Sequence, residues 1–537
     1  MRRDALLAAG AFLLAAATAF LVIRPIHAAA VDFDSAASVV YFDRIISGRH
    51  LEANLGATPK PFLTVVFGIL YDVFHDWRVL VWATIGAYAS GISVAALVAR
   101  RVAGLGAAAF ATIALIASSA LLIDVSRGYA VAWALLGWAA AGLAVTAQRP
   151  RYDIAATALF LASLARIETF MVLATAAAAL LAASVLGRHR AELAPPRSAW
   201  VLLAAFLALP VMLLHDWLLI GDPLYFAAVS ARFSAAVPDV IAGQTPSYMA
   251  GWVTRFILGF GAVTALAILG LVLLIRQRQN RLVLGLLALG PGVGAFLVFL
   301  TVRGTYVSTR YAMPIELAIL FLAGVGFGAL RVPWLVAWVR DLMRHRPAWR
   351  SNVGIAVPVF AVVVAVLCAA LMVRPFGPGD VGTNRSIHTQ LNMAADGDRL
   401  VPRIRDALRL VPGAFDWPPY SSVPAEEPTP SMILLDVPAL EQPRFALDLD
   451  LPLFRIAATS QSAITPEALA AAPGRVIYHD RRGDTGADLR GLESTSQTIT
   501  LSGVTLVLLT ADPERGYWLW QVAPRGTASQ PQGPAGS

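Results

Sequence analysis

Residues 154–186 read IAATALFLASLARIETFMVLATAAAALLAASVL. As one α-helix this run would be about 50 Å long, against a membrane hydrocarbon core of about 30 Å. Arg166 and Glu168 stand at its middle, where an ionised side chain is costly in lipid unless it is paired or functional. The run is better read as two short helices that meet at Arg166–Glu168, and that reading sets the topology of the whole chain. Other apolar runs lie at 5–23, 78–98, 103–123, 129–147, 199–219, 253–275, 281–302, 311–330 and 354–373. Between them lie Arg2/Arg3, Arg100/Arg101, Arg149/Arg151, Arg188/Arg190/Arg197, Arg276/Arg278/Arg281 and the group Arg331, Arg340, Arg344, Arg346 and Arg350. All six clusters fall on one side of a membrane only if 154–186 is a hairpin. The positive-inside rule then makes that side cytoplasmic, puts the N-terminus inside, and places everything after Arg374 outside. The expected fold is an all-α polytopic bundle of about eleven spans over residues 1–374 in the cytoplasmic membrane. An extracytoplasmic mixed α/β domain follows over 375–524.

Composition points the same way. Hydrophobic residues make up 58% of the chain and charged residues 14%, and the mean hydropathy is +0.66, values outside the range of water-soluble globular domains. The single cysteine, Cys368, lies in an apolar run, which excludes a disulfide framework and a cysteine-based metal site within one chain. The net charge of +8 resides mostly in the short connections. With no basic stripe interleaved with aromatics, nucleic acid is not an expected partner. Ala28–Ala30 resembles a signal-peptide cleavage site, yet the run 5–23 is long enough to span, so it reads as a retained helix. The tail opens with Pro/Gly-rich sequence at Arg374–Asp380. It has strand-like runs at 432–436, 475–479 and 500–510, and ends in a Gly/Ser/Pro-rich stretch, 525–537, expected to be disordered.

Three segments fall on the outer side: the first loop, 25–77, a second near Gly221–Trp252, and the tail. The first loop contains VDFDSAASVVYFDRIISGRHLEANLGATPKPFLTVV, residues 31–66, with Asp32, Asp34, Asp43 and Glu52 close to Arg44, Arg49 and Lys60. Apolar residues recur at helical spacing over 35–47, the pattern of an amphipathic helix lying in the interface, with Asp34 at its N-terminal end. Asp34 suits both a helix cap and a general base. Lys60 is the only lysine in the chain. A compact ammonium suits a phosphate oxygen, although an interfacial lysine also snorkels.

This loop resembles the first extracytoplasmic loop of GT-C fold glycosyltransferases that use polyprenyl-phosphate sugars, the superfamily of protein mannosyltransferases, aminoarabinose transferases and arabinosyltransferases. The likeness rests on Asp34, Tyr41, Gly48 and Lys60–Pro61. It extends to Leu164–Glu168, Gly221–Tyr225 and Arg310–Pro314, and so covers most of residues 1–330. Many relatives have two adjacent acids, whereas Asp34 is followed by Ser35 and the neighbouring acid is Asp32. The resemblance implies inverting transfer from a lipid-phosphate sugar to a glycan, lipid or protein acceptor. It implies Asp34 as base, Asp32 and Asp124 as other candidate acids, and Lys60, Arg310, Tyr311 and Arg166 as donor-phosphate ligands. Glu52 and Glu168 are further candidate site residues, and Arg166 with Glu168 also fits a structural ion pair. No metal ligand set is read and no cofactor is required, although a divalent cation is compatible with the resemblance. No phosphate-cradling glycine loop for a nucleotide sugar occurs. The principal rival is a lipid or glycan flippase without catalysis, which predicts acids and broken helices at the bilayer midplane and matching halves. The third is a sensor whose tail binds envelope polymer.

Overall fold

The computed structural model describes residues 2–23, 33–48, 59–187, 195–236, 238–305, 307, 309–329, 401–406, 409, 433–436, 456–458, 476–480, 491–501, 503–514 and 516–523. The expected span 354–373, the stretch 374–380 and the end 525–537 lie outside them. Helix α1 (Arg2–Ile23) is followed by α2 (Phe33–Ile46), α3 (Pro61–Phe74), α4 (Arg78–Ala103), α5 (Leu105–Ile116), α6 (Ser119–Ser126), α7 (Val131–Val145), α8 (Tyr152–Ala165) and α9 (Thr169–Gly187). A 3-10 segment (Arg197–Leu207) leads into α10 (Ala208–Ile220), then α11 (Tyr225–Ala236), α12 (Pro238–Gly243), α13 (Pro246–Gly259), α14 (Ala262–Arg276) and α15 (Asn280–Leu287). A π-turn (Ala288–Gly292) containing Pro291 joins α15 to α16 (Val293–Val302), and a 3-10 turn (Thr309–Ala312) opens α17 (Met313–Ala329).

The 154–186 run is broken where its charges stand. Helix α8 stops at Ala165, Arg166 is extended (φ −145°, ψ 126°), and α9 starts at Thr169. Among the described residues, five helices are long and apolar enough to cross a membrane, or seven if each bent pair counts as one span, and four shorter apolar helices join them. Two expected spans are not straight. The run 103–123 bends by 61° between α5 and α6, where the Ser118 hydroxyl accepts the Leu121 N–H at 3.1 Å and starts a new helix. The run 253–275 bends by 90° between α13 and α14 at Gly261, whose φ of +53° few other residues adopt.

The arginine-bearing connections among the described residues gather at one end of the bundle. Asp4 pairs with Arg100 at 2.6 Å, and Arg101 donates to the Leu143 carbonyl at 2.8 Å. Arg281 lies 5.4 Å from the centre of the Tyr152 ring, which packs with Ala199 just after Arg197. Gly328, near the end of α17, abuts the Ala103 carbonyl at the end of α4. Along the bundle, small residues let backbones meet where lipid gives no hydrophobic drive. Gly326 and Gly270 bring α17 and α14 together so closely that a Cβ on either would overlap a carbonyl oxygen of the other helix, Leu266 or Leu322. Gly137 sits on Ala158 and Ala162 of α8, and Gly324 on Ala111 of α5.

After the bundle, six strands, β1 (Ile433–Asp436), β2 (Ile456–Ala458), β3 (Val476–Asp480), β4 (Thr498–Leu501), β5 (Val504–Asp512) and β6 (Tyr517–Val522), form one sheet of order β2-β1-β3-β6-β5-β4. The β2-β1-β3 half is parallel and the rest antiparallel. Ile477, Leu492, Leu506, Trp518, Trp520 and Val522 make its core. The strand-like run 500–510 proves to be the end of β4, a turn at Gly503 (φ +80°) and most of β5.

Two stability outcomes are expected. Gly326→Ala forces α14 from α17, costs about 1–3 kcal/mol of stability on the scale of overpacking, and so lowers the melting temperature in detergent. The matched Gly86→Ala change, in open space, leaves it unchanged or higher. Glu168→Gln strands the buried Arg166 charge and costs about 3–5 kcal/mol, whereas replacing both Arg166 and Glu168 by methionine recovers most of the loss.

Candidate active site

At the end opposite the arginines, four separate stretches converge. The residue before a proline is pushed out of helical geometry, and proline suits the first turn of a helix. Lys60 accordingly caps α3 in an extended conformation (φ −131°, ψ 89°) with Pro61 next to it. Asp34 occupies the first turn of α2, where the helix dipole favours a carboxylate. Its Oδ2 accepts from Lys60 Nζ at 2.7 Å, and both side chains are largely buried.

Helix packing sets this pair. Phe42 lies eight residues after Asp34, and Gly68 eight after Lys60. The Phe42 ring fills the space a Cβ on Gly68 would take. Contacts in the same order about 12 Å apart along each axis make α2 and α3 parallel and in register, so the contact at Gly68 fixes the distance between the two charges. Helix α2 also differs from the expected interfacial helix. From Asp34 to Tyr41 every residue is buried, because Asp34, Ser35 and Ser38 spend their polarity inside the protein.

The third stretch is the turn from α6 to α7. Gly128 (φ +73°) lets the chain reverse, and its carbonyl accepts from the Ser35 hydroxyl at 2.9 Å. The next residue, Tyr129, places its ring centre 5.3 Å from Lys60 Nζ and 5.5 Å from Arg166 Cζ. Arg166, from the α8–α9 break, holds Glu168 with two hydrogen bonds. Asp124, at the end of α6, is buried within electrostatic reach of Arg166, and its carbonyl accepts the Tyr129 N–H at 2.9 Å.

Of the residues expected at the site, the fold thus brings together Asp34, Lys60, Asp124, Arg166 and Glu168. Asp32 and Glu52 lie outside the described residues, as does the side chain of Arg310, whose backbone is in the 309–312 turn. Tyr311 is half-buried and packs on the bundle core.

A second polar chain was not anticipated. On α10, His215 and Asp216 are buried. Asp216 Oδ2 accepts the Phe226 N–H at 2.7 Å, His215 Nδ1 lies 3.2 Å from Asp216 Oδ1, and His215 Nε2 lies 3.2 Å from the Thr64 hydroxyl, one turn after Lys60. Tyr41 shares a hydrogen bond with Tyr225. Its burial first, then the nearby Tyr225, Asp34 and Asp216, push its phenol well above the usual value, so it stays a neutral hydroxyl. The sequence signal for this chain was a His-Asp pair in an otherwise apolar run. Among the described residues no three His, Cys, Asp or Glu side chains meet to hold a metal ion.

No family model matches the chain, and no curated protein matches it. Among solved structures, ArnT from Cupriavidus metallidurans bound to undecaprenyl phosphate aligns with a TM-score of 0.50 at 16% identity, over 97% of this chain and 99% of that one. The apo state of the same protein gives 0.48 at 15% identity, over 96% and 98%. The archaeal oligosaccharyltransferase AglB from Archaeoglobus fulgidus, in complex with an inhibitory peptide and a dolichol-phosphate, gives 0.45 at 13%, over 88% and 69%. The chain is a polytopic membrane protein, and it has the GT-C fold.

Proposed function

We propose that the protein transfers a sugar, with inversion, from a polyprenyl-phosphate donor to an acceptor hydroxyl on the outer face of the cytoplasmic membrane. The acceptor belongs to an envelope glycan, lipid or protein. The observation that carries this is the buried contact of Asp34 with Lys60, with Arg166 reached across the Tyr129 ring. In such a reaction the acceptor oxygen attacks the anomeric carbon and its proton passes to Asp34. The bond from the anomeric carbon to the phosphate oxygen breaks, its electron pair leaving with the lipid phosphate. A carboxylate in hydrogen-bond reach of the hydroxyl meets the first need, and fixed cations beside the departing phosphate meet the second.

The distances are compatible. A phosphate oxygen about 3 Å from Lys60 Nζ is at most about 6 Å from Asp34 Oδ2. One hydroxyl and one anomeric carbon fill that span when proton transfer and attack meet at a bent oxygen. Lys60 thus lies between base and leaving group. By the positive-inside rule, the arginines gathered at the opposite end favour a cytoplasmic position for that end and an outer position for the site, away from nucleotide sugars and ATP. A lipid-borne donor suits that placement, and ArnT was solved bound to undecaprenyl phosphate, the kind of lipid phosphate such a donor would release.

The test is release of polyprenyl phosphate from lipid-linked sugars by the purified protein. Asp34→Asn is expected to slow it about 10²- to 10⁴-fold, and Asp32→Asn far less. Full activity in Asp34→Asn, with loss in Asp32→Asn or Asp124→Asn, moves the base to that residue, and activity in all three removes this chemistry. Gly68→Ala, which displaces Phe42, is expected to cost up to about 10²-fold in turnover although it touches no reacting group. Phe42→Leu in the same chain should restore part of that rate.

A further inference from the structure

We infer that Tyr129 is a positioning residue whose ring face holds the Lys60 ammonium and the Arg166 guanidinium at a fixed spacing, aimed at one anionic phosphate. The inference rests on the donor-phosphate reading above. Tyr129 is buried. Its ring centre is 5.3 Å from one cation and 5.5 Å from the other, so the two charges cannot lie farther apart than those two radii together. Two cations brought this close repel each other, and three groups offset the repulsion. Asp34 pairs with Lys60, Glu168 with Arg166, and the electron-rich ring attracts both. The ring itself is pinned. Gly128 before it is tied to Ser35 in the first turn of α2, and the Tyr129 N–H is tied to the Asp124 carbonyl. The turn therefore registers three elements at once: the helix carrying Asp34, the cap carrying Lys60, and the α8–α9 break carrying Arg166. An aromatic face is suited to the task, because it attracts both cations without neutralising either and leaves their charge for a phosphate.

Because Lys60 is the only lysine, amine acylation of the full-length protein, read on its tryptic peptide apart from the N-terminal amine, reports on this ammonium alone. Tyr129→Phe keeps the ring face, and Tyr129→Leu keeps apolar bulk without it. In detergent, with equal melting temperatures as the fold control, Lys60 in Tyr129→Leu is expected to acylate several-fold faster, while Tyr129→Phe matches the parent. Undecaprenyl phosphate should bind Tyr129→Leu about five- to thirtyfold more weakly, the range of a desolvated cation–ring contact of about 1–2 kcal/mol. Undecaprenol should show no such difference. Unchanged acylation in Tyr129→Leu, or a Phe variant as altered as the Leu variant, overturns the positioning role. If the acylation pattern holds but the parent binds undecaprenyl phosphate no better than undecaprenol, the donor-phosphate reading fails, and the aim assigned to the ring falls with it.

Discussion

A charge buried in a membrane protein must find a partner, and this constraint shapes everything around the site. An isolated carboxylate or ammonium moved from water into a low-dielectric interior is penalised by several kcal/mol even after relaxation. Asp34, Lys60, Arg166, Glu168 and Asp124 are all largely buried at one end of an apolar bundle. They are tolerable only as a mutually compensating set. The Asp34–Lys60 and Arg166–Glu168 pairs supply most of that compensation, and the Tyr129 ring links the two.

Such a set adds little net stability, because desolvation consumes most of the Coulomb gain. What it yields is preorganised charge. Groups fixed in place by packing do not reorient when charge develops on a departing phosphate, and that is the usual origin of electrostatic catalysis. The packing that fixes them is simple. Helices α2 and α3 lie parallel with Phe42 on Gly68, the Gly128 turn is bonded to Ser35, and α8 ends at Arg166 rather than passing on as one long helix. Outside the charged set, Thr64, His215 and Asp216 tie the first turn of α3 to α10 and α11. The lysine cap is thereby braced from below by a buried polar chain.

The division of the bundle into an arginine end and a carboxylate–lysine end has the same physical root. Arginines on the connections between α4 and α5, α7 and α8, and α14 and α15 sit where guanidinium groups meet water and backbone carbonyls. At the other end, charges turn inward because helix starts and breaks open space between the spans. The sheet after the bundle follows different rules. Its strands pair in a mixed order, and two tryptophans of β6 fill its core.

Much of this was legible in the chain itself. Hydropathy and arginine spacing determined the membrane bundle and the break of 154–186, because helix length, membrane thickness and the cost of a mid-span charge are local quantities that residue counting captures. Asp34, Lys60 and Arg166 were visible as candidates because charged residues are conspicuous among apolar ones. The bends at Ser118 and Gly261 were not legible, since a serine or glycine in an apolar run is usually tolerated without a break. Nor was the burial of α2 from Asp34 to Tyr41, the β4–β5 turn inside 500–510, or the His215–Asp216 chain. The pairing of Asp34 with Lys60 and the place of Tyr129 beside two cations depend on contacts between residues 26 to 69 positions apart. Such contacts are set by which helices pack side by side and in what register, and only the tertiary structure decides that.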